Sequence, residues 1–285
     1  MTNGMLADRI RDYQPQNALE QENALVEILQ HYVLAGLARS GLFRRAIFHG
    51  GTYLRILHSI DRFSEDLDFI QKETDTSFVW TDYLKSLERF FTAEGMLFEA
   101  TDRSKTESNV RKAFLKTDSI GTGLQVGLPF RRQASKKIRI KLELDTNPPT
   151  GSGIETKFLT FPYPASITSL DLSSSFSLKL HALLCRPYAK GRDWFDLLWY
   201  VRRRTPVNFP LLTSALNQVG PWEGRHPSID HQWLRRAMQD RIASIDWDDA
   251  RRDVRRFLPA RQQAGLESWT SELFLQVAAE IPSGF

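Results

Sequence analysis

The sequence has almost no cysteine: Cys185 is the single thiol in 285 residues. One cysteine excludes an internal disulfide framework and fits a reducing compartment. Long apolar runs are also absent, because none approaches the roughly 18 residues that span a bilayer, and the N-terminus has no basic segment followed by an apolar one. The histidines have no ligand spacing with the cysteine, which argues against a zinc site. We therefore expect a cytoplasmic protein with no membrane partner.

Charge is ordinary in amount but uneven in distribution. Hydrophobic residues make up 41% of the chain and charged residues 25%, as in soluble globular proteins, and the net charge is +4. Residues 103–141, however, contain eleven Lys and Arg against two acids. This surplus indicates a polyanionic partner or a phosphate-rich ligand, and a solvated basic face is the alternative.

One stretch, residues 47–60, predicts a strand, a tight turn and a helix. Ile47 and Phe48 end an apolar run, and Gly50 and Gly51 interrupt it. Thr52 can cap a helix whose apolar residues recur at helical spacing. Paired glycines let the backbone approach a ligand, and unpaired N–H groups at a helix N-terminus attract anions. We therefore predict a phosphate seat at Gly50, Gly51 and Thr52.

The chain continues into an alternating segment, residues 63–70, which predicts a strand. Because side chains alternate along a strand, Ser64, Asp66 and Asp68 share one face, and Leu67 and Phe69 face a core. Two like charges held this close repel unless a cation lies between them, and oxygen ligands suit a hard divalent ion. This pattern predicts a magnesium site that faces the phosphate seat. The alternative is an edge strand whose acids only face water.

The ordered series of Gly-Gly-Thr, helix and Arg-Phe-Ser-Glu-Asp-Leu-Asp-Phe (62–69) closely resembles a known motif. It is the first motif of nucleotidyltransferase toxins of the AbiEii/AbiGii (MenT-like) type, a branch of the polymerase-beta-like nucleotidyltransferase superfamily. The resemblance implies an α+β fold, with a polymerase-beta-like core around a short mixed sheet and a helical C-terminal region. We expect residues 1–150 to form the N-terminal helix and the core, and residues 151–285 the helical domain.

A strand from Lys136 to Asp145 is the clearest in the sequence, because apolar and charged residues alternate strictly along it. An acid on its charged face, beside the Asp66/Asp68 strand, would complete a carboxylate triad. In the resembled family the second motif is an acid that follows a Lys, which Lys141 and Glu143 match. Glu143 is therefore predicted as the third carboxylate and metal ligand, although Asp145 shares its face. The alternative is an exposed strand whose acids pair with Arg139 or Lys141.

The remaining motifs follow a predicted linker at 146–165, which is rich in Pro, Gly and Thr. Lys179 on a helix and the series that begins Arg192-Asp193 resemble the family's third and fourth motifs, and a lysine suits a triphosphate. Asp193 and Asp196 are three residues apart at a helix start, so one could cap the helix while the other reaches the site. Capping together with an ion pair to Arg192 is the alternative for both.

Elsewhere the sequence predicts a loose arm at 1–16, helices at 18–39 and 77–95, and strands at 97–101, 110–116 and 123–129. Residues 206–285 are predicted to form short helices that Pro residues separate and Trp residues anchor.

The resemblance implies transfer of a nucleoside monophosphate from an NTP to an acceptor hydroxyl, with release of pyrophosphate. Mg²⁺ or Mn²⁺ would lie on Asp66, Asp68 and Glu143. The phosphates would be bound by Gly50, Gly51, Thr52, Ser64 and Lys179. Asp193 carries over from the family as a catalytic acid of undecided role.

It also implies a toxin of a bacterial toxin–antitoxin or phage-defence pair, with a cognate antitoxin and the 3′ end of tRNA as the acceptor bound by residues 103–141. Two alternatives are a transferase that modifies a small molecule or a protein hydroxyl, and a non-catalytic nucleotide- or partner-binding module.

Overall fold

Two neighbouring strands of the sheet, Val110–Thr117 and Ile138–Asp145, alternate strictly between buried and more exposed side chains. The computed structural model describes residues 3–105, 108–117, 130 and 138–282. Its strands are Ala46–His49 (β1), Asp66–Gln71 (β2), Glu99–Asp102 (β3), Val110–Thr117 (β4), Ile138–Asp145 (β5), Ile154–Leu159 (β6) and Ala165–Leu170 (β7). The predicted strand at 123–129 and the first two residues of the one at 136–145 lie outside the described residues.

Within the described residues the seven strands form one sheet in the order β3-β4-β5-β2-β1-β7-β6. β2 pairs with β5 and β1 with β7 in parallel, whereas β1–β2, β3–β4 and β4–β5 are antiparallel. The sheet is therefore mixed, and β2 and β5, the two strands predicted to carry the acids, are direct neighbours. The predicted α+β class with a short mixed sheet is confirmed.

The described residues of the first half of the chain form the α-helices Asn3–Asp12 (α1), Ala18–Arg39 (α2), Gly50–His58 (α3) and Thr81–Ala93 (α4). Asn17 caps α2 by accepting a hydrogen bond from the Glu20 backbone N–H at 2.9 Å. α2 packs against α4 at Gly36, where a Cβ would lie 2.7 Å from Leu87 Cδ2. The absence of a side chain at Gly36 thus sets how closely the two helices approach.

The helices of the second half are Leu172–Cys185 (α5), Gly191–Arg202 (α6), Phe209–Gln218 (α7), His231–Ala243 (α8), Trp247–Arg255 (α9), Ala260–Gln263 (α10) and Ser271–Ala279 (α11). Five of them begin at a polar residue whose side chain accepts a backbone N–H three residues on, which stabilises each start. These residues are Asp171, Asn208, Asp230, Asp246 and Thr270. Aromatic packing holds part of this half together, because Trp247 stacks on Phe274 at 4.3 Å between ring centroids and Trp194 contacts both rings edge-on.

The chain divides into two compact units. The first extends to residue 148 and includes residues 156–169, and the second takes residues 149–155 and everything from 170 onward. The predicted linker at 146–165 is wrong for its central part, because β6 occupies Ile154–Leu159. The Pro and Gly residues that suggested a linker lie in the turns on either side of this strand.

Two other predicted segments differ from the structure. The predicted loose arm contains α1, whose Ile10 is almost fully buried, so the arm is partly helical and packed. The predicted strand at 63–70 begins only at Asp66, and Phe63 to Glu65 form the loop before it. Polar residues at the arm and an alternating pattern that extends into the loop concealed these boundaries.

Candidate functional site

The turn between β1 and α3 brings the backbone of Gly50 and Gly51 close to β2, the strand that carries Asp66 and Asp68, and to the loop before it. Gly50 has φ +83°, a left-handed conformation that glycine adopts without strain, and a Cβ there would overlap the Asp68 carboxylate. A Cβ at Gly51 would lie 2.7 Å from Ser64 Oγ and 2.8 Å from a terminal nitrogen of Arg62. Gly50, Gly51, Ser64 and Asp68 are therefore neighbours, and the left-handed conformation of Gly50 requires glycine.

Thr52 does not cap α3, contrary to the prediction. It is the third residue of the helix, fully buried, and its hydroxyl donates a hydrogen bond of 2.5 Å to the Asp66 carbonyl. The residue before the helix, His49, makes no side-chain capping hydrogen bond in the described structure. Thr52 thus ties the helix to the start of the acid strand, and the N-terminal N–H groups of α3 are not capped by the side chain of His49.

The loop that leads into β2 is also held by a buried amide. Gln30 of α2 is fully buried, and its Nε2 donates to the carbonyls of Ser64 at 3.0 Å and Glu65 at 2.9 Å. Such bonds to backbone fix the course of a loop without a regular element. Ser64 therefore has a defined position beside the glycine turn, although it lies outside the strand that was predicted to contain it.

Asp66 and Asp68 project from one face of β2, and Leu67 and Phe69 are buried on the other, as the alternation predicted. Both aspartates are partly exposed. Asp68 pairs across the strands with His49, the last residue of β1. The acid pair and the glycine turn therefore lie at the same end of the β1–β2 pair.

Strand β5 places a third acid beside this pair. In the parallel register Asp66 is opposite Lys141, Asp68 is opposite Glu143, and Ile70 is opposite Asp145. Side chains opposite one another on adjacent strands project to the same face, so Glu143 lies beside Asp68. The register thus favours Glu143 over Asp145 as the neighbour of the acid pair.

Glu143 also has two lysine partners. Its Oε1 is 2.8 Å from Lys141 Nζ and 3.2 Å from Lys112 Nζ of β4. Burial raises the pKa of Glu143, but the ion pairs with both lysines outweigh it and leave that pKa below its usual value. Burial lowers the pKa of Lys141, whereas the attraction of Glu143, Asp66 and Asp68 raises it overall. Glu143 and Lys141 are therefore both charged near neutral pH. The alternative interpretation of the strand required an ion pair between an acid and Lys141, and this pair is present.

The chemistry of Asp66 and Asp68 fits a hard divalent cation. Carboxylate oxygens are the ligands that Mg²⁺ and Mn²⁺ prefer, and the space beside Asp68 exists because Gly50 has no side chain. Among the residues that the structure describes, no three His, Cys, Asp or Glu side chains are grouped closely enough to hold an ion together. The pair thus suits a metal that also takes ligands from a substrate, whereas Glu143 is turned toward its lysines.

In the second unit, Lys179 of α5 and two acids of α6 form a buried cluster. Lys179 Nζ lies 2.5 Å from Asp193 Oδ1 and 2.9 Å from Asp196 Oδ2, and Arg186 also pairs with Asp193. These carboxylates therefore receive the charge of Lys179 within the protein. Neither acid caps α6, and Arg192 has Asp253 as an ion-pair partner at 3.9 Å.

Electrostatics in this cluster favour the ionised form of Asp193. Burial raises the pKa of Asp193, but Lys179 and Arg186 outweigh it and lower the value to about 2. Burial lowers the pKa of Lys190, and repulsion by Arg192 contributes further. Cations thus outnumber acids around Asp193, an arrangement that an anionic ligand would stabilise.

The basic stretch 103–141 lies only partly within the described residues, since 106–107, 118–129 and 131–137 are outside them. Arg111 is buried and donates to the carbonyls of Lys105 and Thr76, both at 2.6 Å. Arg139 lies over the Phe114 ring at 3.8 Å. With Lys112 and Lys141 paired to Glu143, several of these cations have structural partners within the protein.

Sequence reasoning missed four residues that position these groups: Gln30, Lys112, Arg55 and Arg186. Lys112 is directly opposite Glu143 in the antiparallel register of β4 and β5, a pair of opposite charges that would have been visible had the register been known. Residues 118–137 separate these strands in the sequence, so the sequence held no signal for that register.

Arg55 pairs with buried Glu27 at 2.7 Å and donates to the Ile60 carbonyl at 2.9 Å, which holds the loop after α3. Burial raises the pKa of Glu27. Nothing in the sequence indicated that a glutamate of α2 would be buried in this way.

Comparison with known proteins gives the family. The family model described as nucleotidyl transferase AbiEii toxin, type IV toxin–antitoxin system, matches residues 32–276. No curated protein matches the chain. Among solved structures, MenT4, a nucleotidyltransferase toxin from Mycobacterium tuberculosis, superposes with a TM-score of 0.53 at 16% identity over 99% of this chain and 100% of its own. A putative nucleotidyltransferase from H. pylori gives 0.53 at 18% identity over 89% of this chain and 91% of its own.

These structural likenesses support the fold, and the match over 32–276 covers most of the chain. The predicted nucleotidyltransferase fold and enzyme class are confirmed, and the family implies an NTP substrate and an antitoxin partner. In the described part of the chain, no helix has the length and apolar character needed to cross a bilayer. The chain belongs to the AbiEii nucleotidyltransferase toxins of type IV toxin–antitoxin systems.

Proposed function

We propose that this toxin transfers a nucleoside monophosphate from an NTP to the 3′ end of tRNA, as one half of a toxin–antitoxin pair that acts in phage defence. The observation that carries the proposal is the position of Asp66 and Asp68 at the same end of the β1–β2 pair as the Gly50–Gly51 turn. Carboxylates for a metal and backbone for phosphates are thereby adjacent, as a nucleotidyl transfer requires.

The glycine turn and the start of α3 would bind the phosphates. Gly50 and Gly51 leave the backbone accessible, and the N-terminus of α3 directs its N–H groups toward an anion. Ser64 lies against Gly51 and would donate from its hydroxyl. Thr52 keeps its predicted place in the seat through its backbone, because its hydroxyl is bonded to the Asp66 carbonyl.

Asp66 and Asp68 would hold Mg²⁺ or Mn²⁺, which would supply positive charge against the negative charge that develops on the phosphates during transfer. Glu143, beside Asp68 and ionised, would add the third carboxylate near the acceptor hydroxyl. The chain's own contribution is thus a negatively charged strand face that is rigid because β2 is hydrogen-bonded on both sides, by β1 and by β5.

Lys179 and Asp193 are the proposed contribution of the second unit. Asp193 fixes the Lys179 ammonium and the Arg186 guanidinium, and the surplus of cations around it suits a polyphosphate. A lysine provides a compact charge for phosphate oxygens, whereas Asp193 acts through the lysine that it orients.

The acceptor would be bound by the basic stretch 103–141. Ionic bonds to phosphates supply most of the affinity of proteins for nucleic acids, and the removal of each such bond lowers the salt dependence by about one unit of log–log slope. The change of Arg131, Arg132, Lys136 and Lys137 together to Ser should therefore weaken tRNA binding and flatten its salt dependence, with NTP binding unchanged. If affinity and slope do not change, the acceptor binds elsewhere.

Transfer is tested by incubating the full chain with Mg²⁺, each α-labelled NTP in turn and total tRNA, beside the Asp66→Ala variant. Label at the tRNA 3′ end, from wild type only, is the expected result. Label in a protein or a small molecule would favour the second transferase function. Nucleotide binding without any transfer would identify a non-catalytic module and overturn the proposal.

A further inference from the structure

Lys141 ends the basic stretch 103–141 and lies inside the acid site, where the function proposed above gives it no role of its own. It is opposite Asp66 in the β2–β5 register, one step along β5 from the position opposite Asp68. Neighbouring strands are about 4.8 Å apart, so Lys141 and the three acids project as one square of side chains from a single face of the sheet. The ammonium is 2.8 Å from Glu143, and both side chains are about a quarter exposed, at 28% and 23%.

Counting the charges of the described groups in this square, together with Lys112 beside it, indicates how many metal ions these groups can accept. Asp66, Asp68 and Glu143 carry three negative charges, and Lys141 and Lys112 supply two positive ones at Glu143. One divalent ion brings the total from −1 to +1, whereas two would bring it to +3. Repulsion between like charges in a partly buried site makes the second ion unfavourable.

The Glu143 carboxylate, which a second ion would need as a ligand, already has two lysine partners. Both lysines contact the same oxygen, Oε1, and the described residues contain no cluster of three acids that could hold an ion. A carboxylate shared by two ammonium groups binds a further cation weakly, because its charge is already neutralised.

We propose that the Lys141 ammonium is a built-in cation of the acid site and occupies the place beside Glu143 that a second metal ion would need. The site then holds one divalent ion on Asp66 and Asp68, and Lys141 neutralises Glu143 without depending on ion concentration. This inference rests on the proposed function, because it requires that the aspartate pair binds the metal.

The test is a titration of the full, nucleotide-free chain with Mn²⁺, followed by electron paramagnetic resonance, which counts bound ions directly. The variants are Lys141→Met, which removes the charge, and Lys141→Arg, which retains it. Lys116→Met is the matched control, because Lys116 lies on the same face of β4 as Lys112 but four residues, or about 13 Å, further along. Thermal melting with and without Mn²⁺ gives a second readout.

The wild type, Lys116→Met and Lys141→Arg should each bind one Mn²⁺. Lys141→Met should bind Mn²⁺ roughly tenfold more tightly, or take up a second ion, because an attractive carboxylate becomes available. Its melting temperature without metal should fall below that of Lys116→Met, and Mn²⁺ should restore it. If Lys141→Met does not fold, Lys141→Gln, which keeps a polar side chain, is measured in its place.

The outcomes separate the two proposals. If Asp66→Asn loses the ion but Lys141→Met binds Mn²⁺ as the wild type does, the built-in cation is refuted and the acid site stands. Two ions in the wild type, both dependent on Asp66, would also refute it. If Asp66→Asn binds Mn²⁺ as well as the wild type, or the wild type binds none, the acid site itself is wrong.

Discussion

The two units use the same residue types in opposite ways. In the first, Glu143 and its lysines are partly exposed, with Lys112 at 44%. In the second, the Lys179 side chain is 12% exposed and its two acids are buried, with Asp196 fully inaccessible. A partly exposed pair is weak and can exchange partners, whereas a buried pair is costly to separate. Similar lysine–carboxylate distances therefore do not imply similar roles, and burial decides which acids remain available to a ligand.

The largest expected effect is on catalysis, at the open site. Asp66→Ala or Asp68→Ala should lower nucleotidyl transfer by about ten thousandfold, or about 5 kcal/mol, because the metal loses its carboxylates. Thermal stability should hardly change, since both side chains are partly exposed. Single-turnover transfer and melting temperature are the measurements. Glu73→Ala, an exposed acid just beyond β2, is the control, and transfer by the Asp66 variant at the rate of that control would remove the site assignment.

A different response is expected when the buried cluster is broken. Lys179→Met leaves Asp193 and Asp196 without their ammonium partner, so the free energy of unfolding should fall by about 3–5 kcal/mol. Denaturant unfolding monitored by circular dichroism measures it. A decrease below about 1 kcal/mol would mean that the two clusters do not differ in the way proposed.

The pH dependence of stability gives a further test of the buried cluster, through Asp193. The pKa of Asp193 is about 2 in the folded protein, below its ordinary value of 3.8. A lowered folded-state pKa adds stability above the unfolded value, and this stability is lost as the pH falls from about 4 to about 2. This stability amounts to about 2 kcal/mol, because each unit of pKa difference corresponds to about 1.36 kcal/mol.

The stability of Asp193→Asn should therefore decline less steeply than that of the wild type over this pH range, as measured by urea midpoints from pH 5 to pH 2. Equal slopes in the two proteins would show that Asp193 is not the group that titrates.

The smallest effect is expected at Lys112. Lys112→Met removes a partly exposed partner of Glu143 but leaves Lys141 in place, so the free energy of unfolding should change by less than about 1 kcal/mol. The same lysine-to-methionine change at Lys179 provides the comparison. Decreases of similar size at the two positions would contradict the role given to burial.

Local patterns in the sequence predicted much of the fold and of the open site. The alternation along β2 and β5 put the acids on one face, and the paired glycines indicated a tight turn before a helix, because these features depend only on neighbouring residues. Partners that lie far apart in the chain were not predictable in this way. The Thr52 hydroxyl donates to the Asp66 carbonyl, and Lys179 pairs with Asp193 and Asp196. Both contacts arise from tertiary packing, which leaves no local signature in the sequence.

The parallel pairing of β2 with β5 also sets when the site can form. Asp68 and Glu143 are neighbours in space, but 75 residues of chain separate them. Pairings of such long range form slowly, and during synthesis a chain folds from its N-terminus as residues emerge. A ribosome must therefore complete β5 before the acid strand gains its neighbour, so nascent or truncated chains that stop before residue 138 lack Glu143 and Lys141 and should be harmless.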